Sequence, residues 1–76
     1  MTSSISNFAF AAASGPAPLV VRWTNNDTVE HDVILADGSS PVIAPGASFE
    51  RRFDRPGTYA YSCSFHPFMT GTVVVR

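Results

Sequence analysis

Two histidines, one cysteine and an internal methionine hold most of the metal-binding chemistry of this 76-residue chain. Three of the four fall in one stretch, Cys63-Ser64-Phe65-His66-Pro67-Phe68-Met69, where Cys, His and Met recur at intervals of three. A thiolate, an imidazole and a thioether form a soft donor set that suits copper. On a strand this spacing would send the side chains apart; a loop can curl them towards one point. His31, the other histidine, could supply a fourth ligand from across the fold. Two His, one Cys and a weak axial Met is the composition of a blue-copper electron-transfer site. Each residue alone has a blander reading: a buried cysteine as a small hydrophobe, a methionine as core filler, His31 as an ordinary strand histidine and His66 as a loop residue. The coincidence of every Cys and His in one coordination set outweighs those separate readings.

Positioning such a set requires strands, and the composition supplies strand formers. Leucine is scarce, whereas Val, Thr, Ile, Phe, Tyr and Trp abound in short runs broken by Gly, Pro, Asn and Asp. Ile5–Phe10 reads as a first strand with Phe8 and Phe10 on one face. Leu19–Thr24 alternates, Leu19, Val21 and Trp23 facing one way. Between them, Ser14-Gly15-Pro16-Ala17-Pro18 reads as loop, because proline fixes φ and lacks an amide donor. His31–Leu35 reads as a third strand and Asp37-Gly38 as a turn. Ala47–Phe53 alternates, with Arg51 on the side of Phe49 and Phe53, which suits an edge strand or a rim. Pro45-Gly46 and Pro56-Gly57 both suit type II turns. Thr58–Cys63 places Tyr59, Tyr61 and Cys63 on one face, and Gly71–Val75 closes the chain. Tyr59, Tyr61 and Trp23 read as core, and Asn25 and Asn26 as turn formers before Asp27. The expectation is one small all-β sandwich or barrel over residues 1–76.

Composition narrows the function classes. Five basic residues against six acidic ones give a net charge of -1, and no basic stripe exists, so nucleic acid is not an expected partner. No run approaches the roughly 18 apolar residues of a membrane span. Met1-Thr2-Ser3-Ser4 lacks a basic n-region, so no signal peptide is expected in this sequence. A single cysteine excludes an internal disulfide, which leaves a metal, an oligomer or a good core to stabilise so short a chain.

The sequence resembles the cupredoxins, with a ligand loop most similar to the short amicyanin type. The likeness is carried by Asn7-Phe8-Ala9-Phe10, Trp23-Thr24-Asn25-Asn26-Asp27, His31-Asp32-Val33, Ala44-Pro45-Gly46 and Phe53-Asp54. It continues through Pro56-Gly57-Thr58-Tyr59, Tyr61-Ser62-Cys63, His66-Pro67-Phe68-Met69 and Gly71-Thr72-Val73. The resemblance implies a truncated Greek-key β-sandwich holding one copper ion that cycles between Cu(I) and Cu(II). It makes His31, Cys63 and His66 equatorial ligands and Met69 the weak axial one. It also implies a periplasmic or extracellular location. Two positions depart from the family pattern: Glu30 stands where Pro is frequent, and Asp32 where Asn, Ser or Thr commonly links the two ligand loops.

The resulting expectation is a one-electron carrier and not an enzyme, since two histidines cannot build further copper centres. His66 would be the electron port, and a redox partner protein would dock on the apolar rim of Phe65, Pro67 and Phe68. The alternatives are a copper store with a more open, type 2-like site, or an engineered minimal scaffold. Trimming a sandwich also exposes edges that a homo-oligomer would cover.

Overall fold

The computed structural model describes residues 1–6 and 8–76 of the chain. Among the described residues, nine strands form two sheets: β1 (Thr2–Ser6), β2 (Ala9–Phe10), β3 (Ala13–Gly15), β4 (Leu19–Asn25), β5 (Ile34–Leu35), β6 (Gly38–Ser39), β7 (Ser48–Phe53), β8 (Gly57–Ser62) and β9 (Thr70–Val75). One sheet has the order β2-β1-β4-β7 and the other β3-β9-β8-β5-β6. Two pairings are parallel, β1 with β4 and β3 with β9, and the others are antiparallel. The chain passes repeatedly from one sheet to the other, so both contribute inward faces to a single sandwich.

Alternation along β4 explains the core. Leu19, Val21, Trp23 and Asn25 point inward while Val20 and Arg22 face solvent. The Trp23 ring is stacked on Phe49 at 6.0 Å and meets Tyr61 edge-on at 5.4 Å and Phe53 at 6.4 Å. Such aromatic pairs contribute about 0.5–1.5 kcal/mol each beyond the area they bury. Ile5, Ala13, Val33, Leu35, Ile43, Cys63, Met69, Val73 and Val75 complete the buried cluster. Arg51 behaves as its rim position suggests: β7 is an edge strand, and the guanidinium lies 4.9 Å over the Phe53 ring. It reaches the opposite sheet to pair with both oxygens of Asp37, at 2.7 and 2.6 Å.

Four sequence-based expectations change. The run Ile5–Phe10 is not one strand: Ile5 pairs with Phe10 and Ser6 with Ala9, so the chain folds back within it. Asn7 lies outside the described residues, and Phe8 has a φ of 56°. Phe8 therefore points away from the face of Phe10, which packs on Tyr61. Ser14 and Gly15 are strand, not loop, because β3 pairs with β9 before the prolines are reached. The pairing extends past Pro16 through Ala17 N–H to Arg76 C=O. His31–Leu35 is strand only at Ile34–Leu35; His31 instead forms an isolated bridge with Ile43. Pro45-Gly46 makes the expected turn, with Gly46 at φ 82° and Ala47 N–H donating to Ala44 C=O. Gly57, by contrast, has φ 157° and opens β8, so Pro56-Gly57 is not a type II turn.

Candidate metal centre

Register places four loops at one end of the sandwich. β1 and β4 end there, β7 and β9 begin there, and β8 delivers Cys63. Cys63 follows the inward-facing Tyr61 by two residues and is buried. The next residues curl back: Met69 N–H donates to His66 C=O at 2.8 Å, and Cys63 N–H donates to Met69 C=O at 3.2 Å. These bonds close the loop that the spacing of three required. Met69 is buried below it in the core, and His66 is half-buried at the surface.

His31 approaches from the loop after β4. Its backbone pairs with Ile43 in both directions, at 3.2 and 2.7 Å. That segment is braced by Asn25, a buried side chain whose amide donates to Val29 C=O and Ile43 C=O at 2.9 and 2.8 Å. Asn25 Oδ1 accepts the Asp27 N–H. The ligand atoms of His31, Cys63 and His66 all lie within 4.8 Å of one another. Sγ of Cys63 is 3.7 Å from His31 Nδ1 and 3.9 Å from His66 Nδ1. A first-row divalent ion with bonds of about 2.3 Å to sulfur and 2.0–2.1 Å to nitrogen, at angles near 110–120°, spans roughly 3.6–3.8 Å. Both sulfur–nitrogen separations are therefore close to those of one sulfur and one imidazole nitrogen sharing a metal ion.

Carboxylates hold the cluster without entering it. Asp27 Oδ2 lies 2.8 Å from His31 Nε2 and also accepts the Phe8 N–H at 3.0 Å. An acceptor at Nε2 keeps the proton there and leaves the Nδ1 lone pair facing the sulfur. Asp32, 7% exposed, accepts the Ser64 N–H at 2.7 Å and the Ser64 hydroxyl at 2.5 Å. Asp32 thus links the His31 loop to the Cys63 loop, whereas Glu30 is exposed.

Aromatic rings surround the opening. Phe8 meets His66 edge-on at 4.8 Å and His31 at 5.8 Å, and Phe68 meets His66 at 5.9 Å. Sequence reasoning missed two of the cluster's neighbours. Phe8 looked like a core strand residue, and nothing in the alternation marks the reversal that turns it towards the histidines. Asp27 looked like part of a turn, although its spacing of four from His31 was available as a signal.

The chain matches the family of copper binding proteins described as plastocyanin/azurin over residues 7–76. It belongs to that family. Amicyanin-alpha of Methylorubrum extorquens is 37% identical over 63 residues, covering 74% of this chain and 53% of that protein. Plastocyanin of Scenedesmus fuscus is 31% identical over 71 residues, covering 74% and 72%. The chain spans about half the length of the amicyanins it matches. Among solved structures, a purple cupredoxin from Nitrosopumilus maritimus aligns with a TM-score of 0.91 at 30% identity, covering 99% of this chain and 98% of that one. A variant of amicyanin in its reduced Cu(I) form at pH 4 aligns at 0.94 and 26% identity, covering 100% and 81%. Cupredoxins are all-β sandwiches that hold one copper, and the donors of this cluster suit that ion.

Proposed function

We propose that residues 1–76 act as a single cupredoxin-like domain carrying one electron at a time, with His31, Cys63, His66 and Met69 as the copper ligands. The observation that carries this reading is the convergence of two imidazole Nδ1 atoms on the Cys63 sulfur, at 3.7 and 3.9 Å. Bound copper supplies a one-electron Cu(I)/Cu(II) couple. The chain supplies a donor set tied down before the metal arrives: Asp27 orients His31, Asp32 joins the two ligand loops, and backbone bonds shape the Cys63–Met69 turn. Rigid donors limit rearrangement between oxidation states, which lowers the barrier to transfer. Met69, buried beneath the loop, would complete the ligand set, and His66, half-buried at the surface, would be the electron port. A partner protein docks on Phe65 and Phe68, 49% and 72% exposed, together with Pro67; transient redox encounters typically bury less than about 1,200 Å². The role is that of a carrier and not an enzyme, and its setting is periplasmic or extracellular.

The storage alternative, with an oxygen-rich type 2-like site, is less well supported, because Asp27 and Asp32 are both engaged by protein donors. Titration with Cu(II) separates the two. The carrier reading expects one equivalent to bind with intense thiolate-to-copper absorption, anywhere from the blue to the purple range, and Cys63→Ser to abolish it. A pale, water-ligated spectrum from the wild type refutes the carrier.

A further inference from the structure

The two carboxylates that brace the cluster differ in kind from the acidic residue beside them. Asp27 has a side chain only 12% exposed and touches His31, whose ring is fully buried. Asp32 is 7% exposed and touches Ser64, the neighbour of Cys63. Glu30, next to His31 in the chain, is exposed to solvent. Both oxygens of Asp32 receive hydrogens, one from Ser64 N–H and one from its hydroxyl, a pattern that a carboxylate satisfies without a proton of its own. Asp27 Oδ2 likewise faces His31 Nε2–H and Phe8 N–H among the described residues. Arg51 and Arg52 are occupied at other carboxylates, Asp37 and Asp54.

We propose that Asp27 and Asp32 are positioning residues that also hold the site's reduction potential down, by placing one largely buried negative charge against the His31 ring and another against Ser64, the residue after Cys63. The proposal rests on the copper-carrier reading above. Charges near a poorly solvated site are screened far less than charges in water. Together with the Cys63 sulfur, deprotonated on metal binding, they would add to the negative charge near a bound copper ion. Adding an electron to such a site is disfavoured, so the oxidised ion is preferentially stabilised. Partners that orient ligating histidines typically change metal affinity by about 10–100-fold when removed. Here that loss falls more heavily on Cu(II) than on Cu(I).

Asparagine tests the charge while keeping the shape. In Asp27→Asn, the amide oxygen can occupy the Oδ2 position and keep the contacts to His31 Nε2 and Phe8 N–H. In Asp32→Asn, the oxygen can accept Ser64 N–H while the amide donates to the Ser64 hydroxyl oxygen. Each variant is expected to shift the Cu(II)/Cu(I) equilibrium about tenfold towards Cu(I), which for one electron is about 59 mV upward, with the thiolate absorption retained. The double variant should shift by the sum. Glu30→Gln removes the same charge from an exposed position and should shift the equilibrium less than about twofold, because solvent screens it. Unfolding of the metal-free variants reports folding separately; if Asp32→Asn does not fold, Asp32→Ser is measured in its place. An unmoved or lowered potential in a folded, coloured variant overturns the proposal, as does an equal shift in Glu30→Gln. A wild type without thiolate absorption overturns the carrier reading instead.

Discussion

Gly71→Ala is a sharp test of the packing beneath the ligand loop, because two opposing effects set its sign. Positive φ among the glycines is confined to Gly38, Gly46 and Gly57, so Gly71 has a backbone that alanine can adopt. On that ground alone the change should stabilise by about 0.4–1 kcal/mol, through the unfolded chain. The space argues otherwise. A Cβ at Gly71 would stand 2.5 Å from Cζ and Oη of Tyr61 and 2.8 Å from Cε2. Gly71 and Tyr61 are direct partners across β8 and β9, and the ring is pinned by Phe10 at 4.7 Å and Trp23 at 5.4 Å. A ring that is 3% exposed cannot swing aside without moving its neighbours. Overpacking of this kind costs about 1–3 kcal/mol, so the net effect should be destabilisation by about 1–2 kcal/mol. For a domain of this size that lowers the melting temperature by about 4–8 °C per kcal/mol. Urea unfolding of the metal-free protein, followed by Trp23 fluorescence, measures it. Combining Gly71→Ala with Tyr61→Leu should recover most of the loss, as expected for residues in contact. Equal or greater stability of Gly71→Ala, or strict additivity in the double variant, would refute the reasoning. The position also matters for the metal: Tyr61 lies two residues before Cys63 and Gly71 two after Met69, so strain here reaches both ends of the ligand loop.

Other outcomes follow from single contacts. Tyr61→Phe should be neutral or slightly stabilising in chemical denaturation, because the buried Tyr61 hydroxyl has no hydrogen-bond partner among the described residues. Ser40→Ala should destabilise by about 1–3 kcal/mol, since Ser40 Oγ accepts the buried Val33 N–H at 2.8 Å and nothing would replace it; thermal unfolding reads this directly. Asn25→Asp should weaken both folding and metal uptake, because a carboxylate would face the carbonyls of Val29 and Ile43 where the amide now donates. The hydrogen bond from Arg51 holds the Asp37 carboxyl below its usual range. A carboxyl lowered by folding stabilises the fold above its unfolded value and loses that contribution as the pH falls through the folded one. The stability gap between wild type and Arg51→Gln should therefore be present at neutral pH and shrink below about pH 4. Because Asp37 is exposed, added salt should shrink it as well.

The chemical inventory and the all-β class were legible in the chain itself. Donor types are a property of composition, and a two-residue alternation such as Leu19-Val21-Trp23 survives in any register, so both are local facts. The same locality limits what alternation can reveal. Nothing in Ile5–Phe10 distinguishes a strand from a hairpin, because Phe8 and Phe10 have the same spacing in both; only pairing of Ile5 with Phe10 separates them. Ser14 and Gly15 were obscured by the prolines after them, since an edge strand is defined by its partner β9 and not by its own residues. His31 has strand-like neighbours, yet its backbone pairs with Ile43 in a loop bridge, which aims the ring at Cys63. Asp32 was legible as a departure from the family pattern, but its capture of Ser64 depends on two loops meeting in space. Tertiary structure alone decided which groups surround the donors, because burial and contact across two sheets are long-range properties. That is why Asp27 and Phe8, unremarkable in the sequence, sit against the histidines.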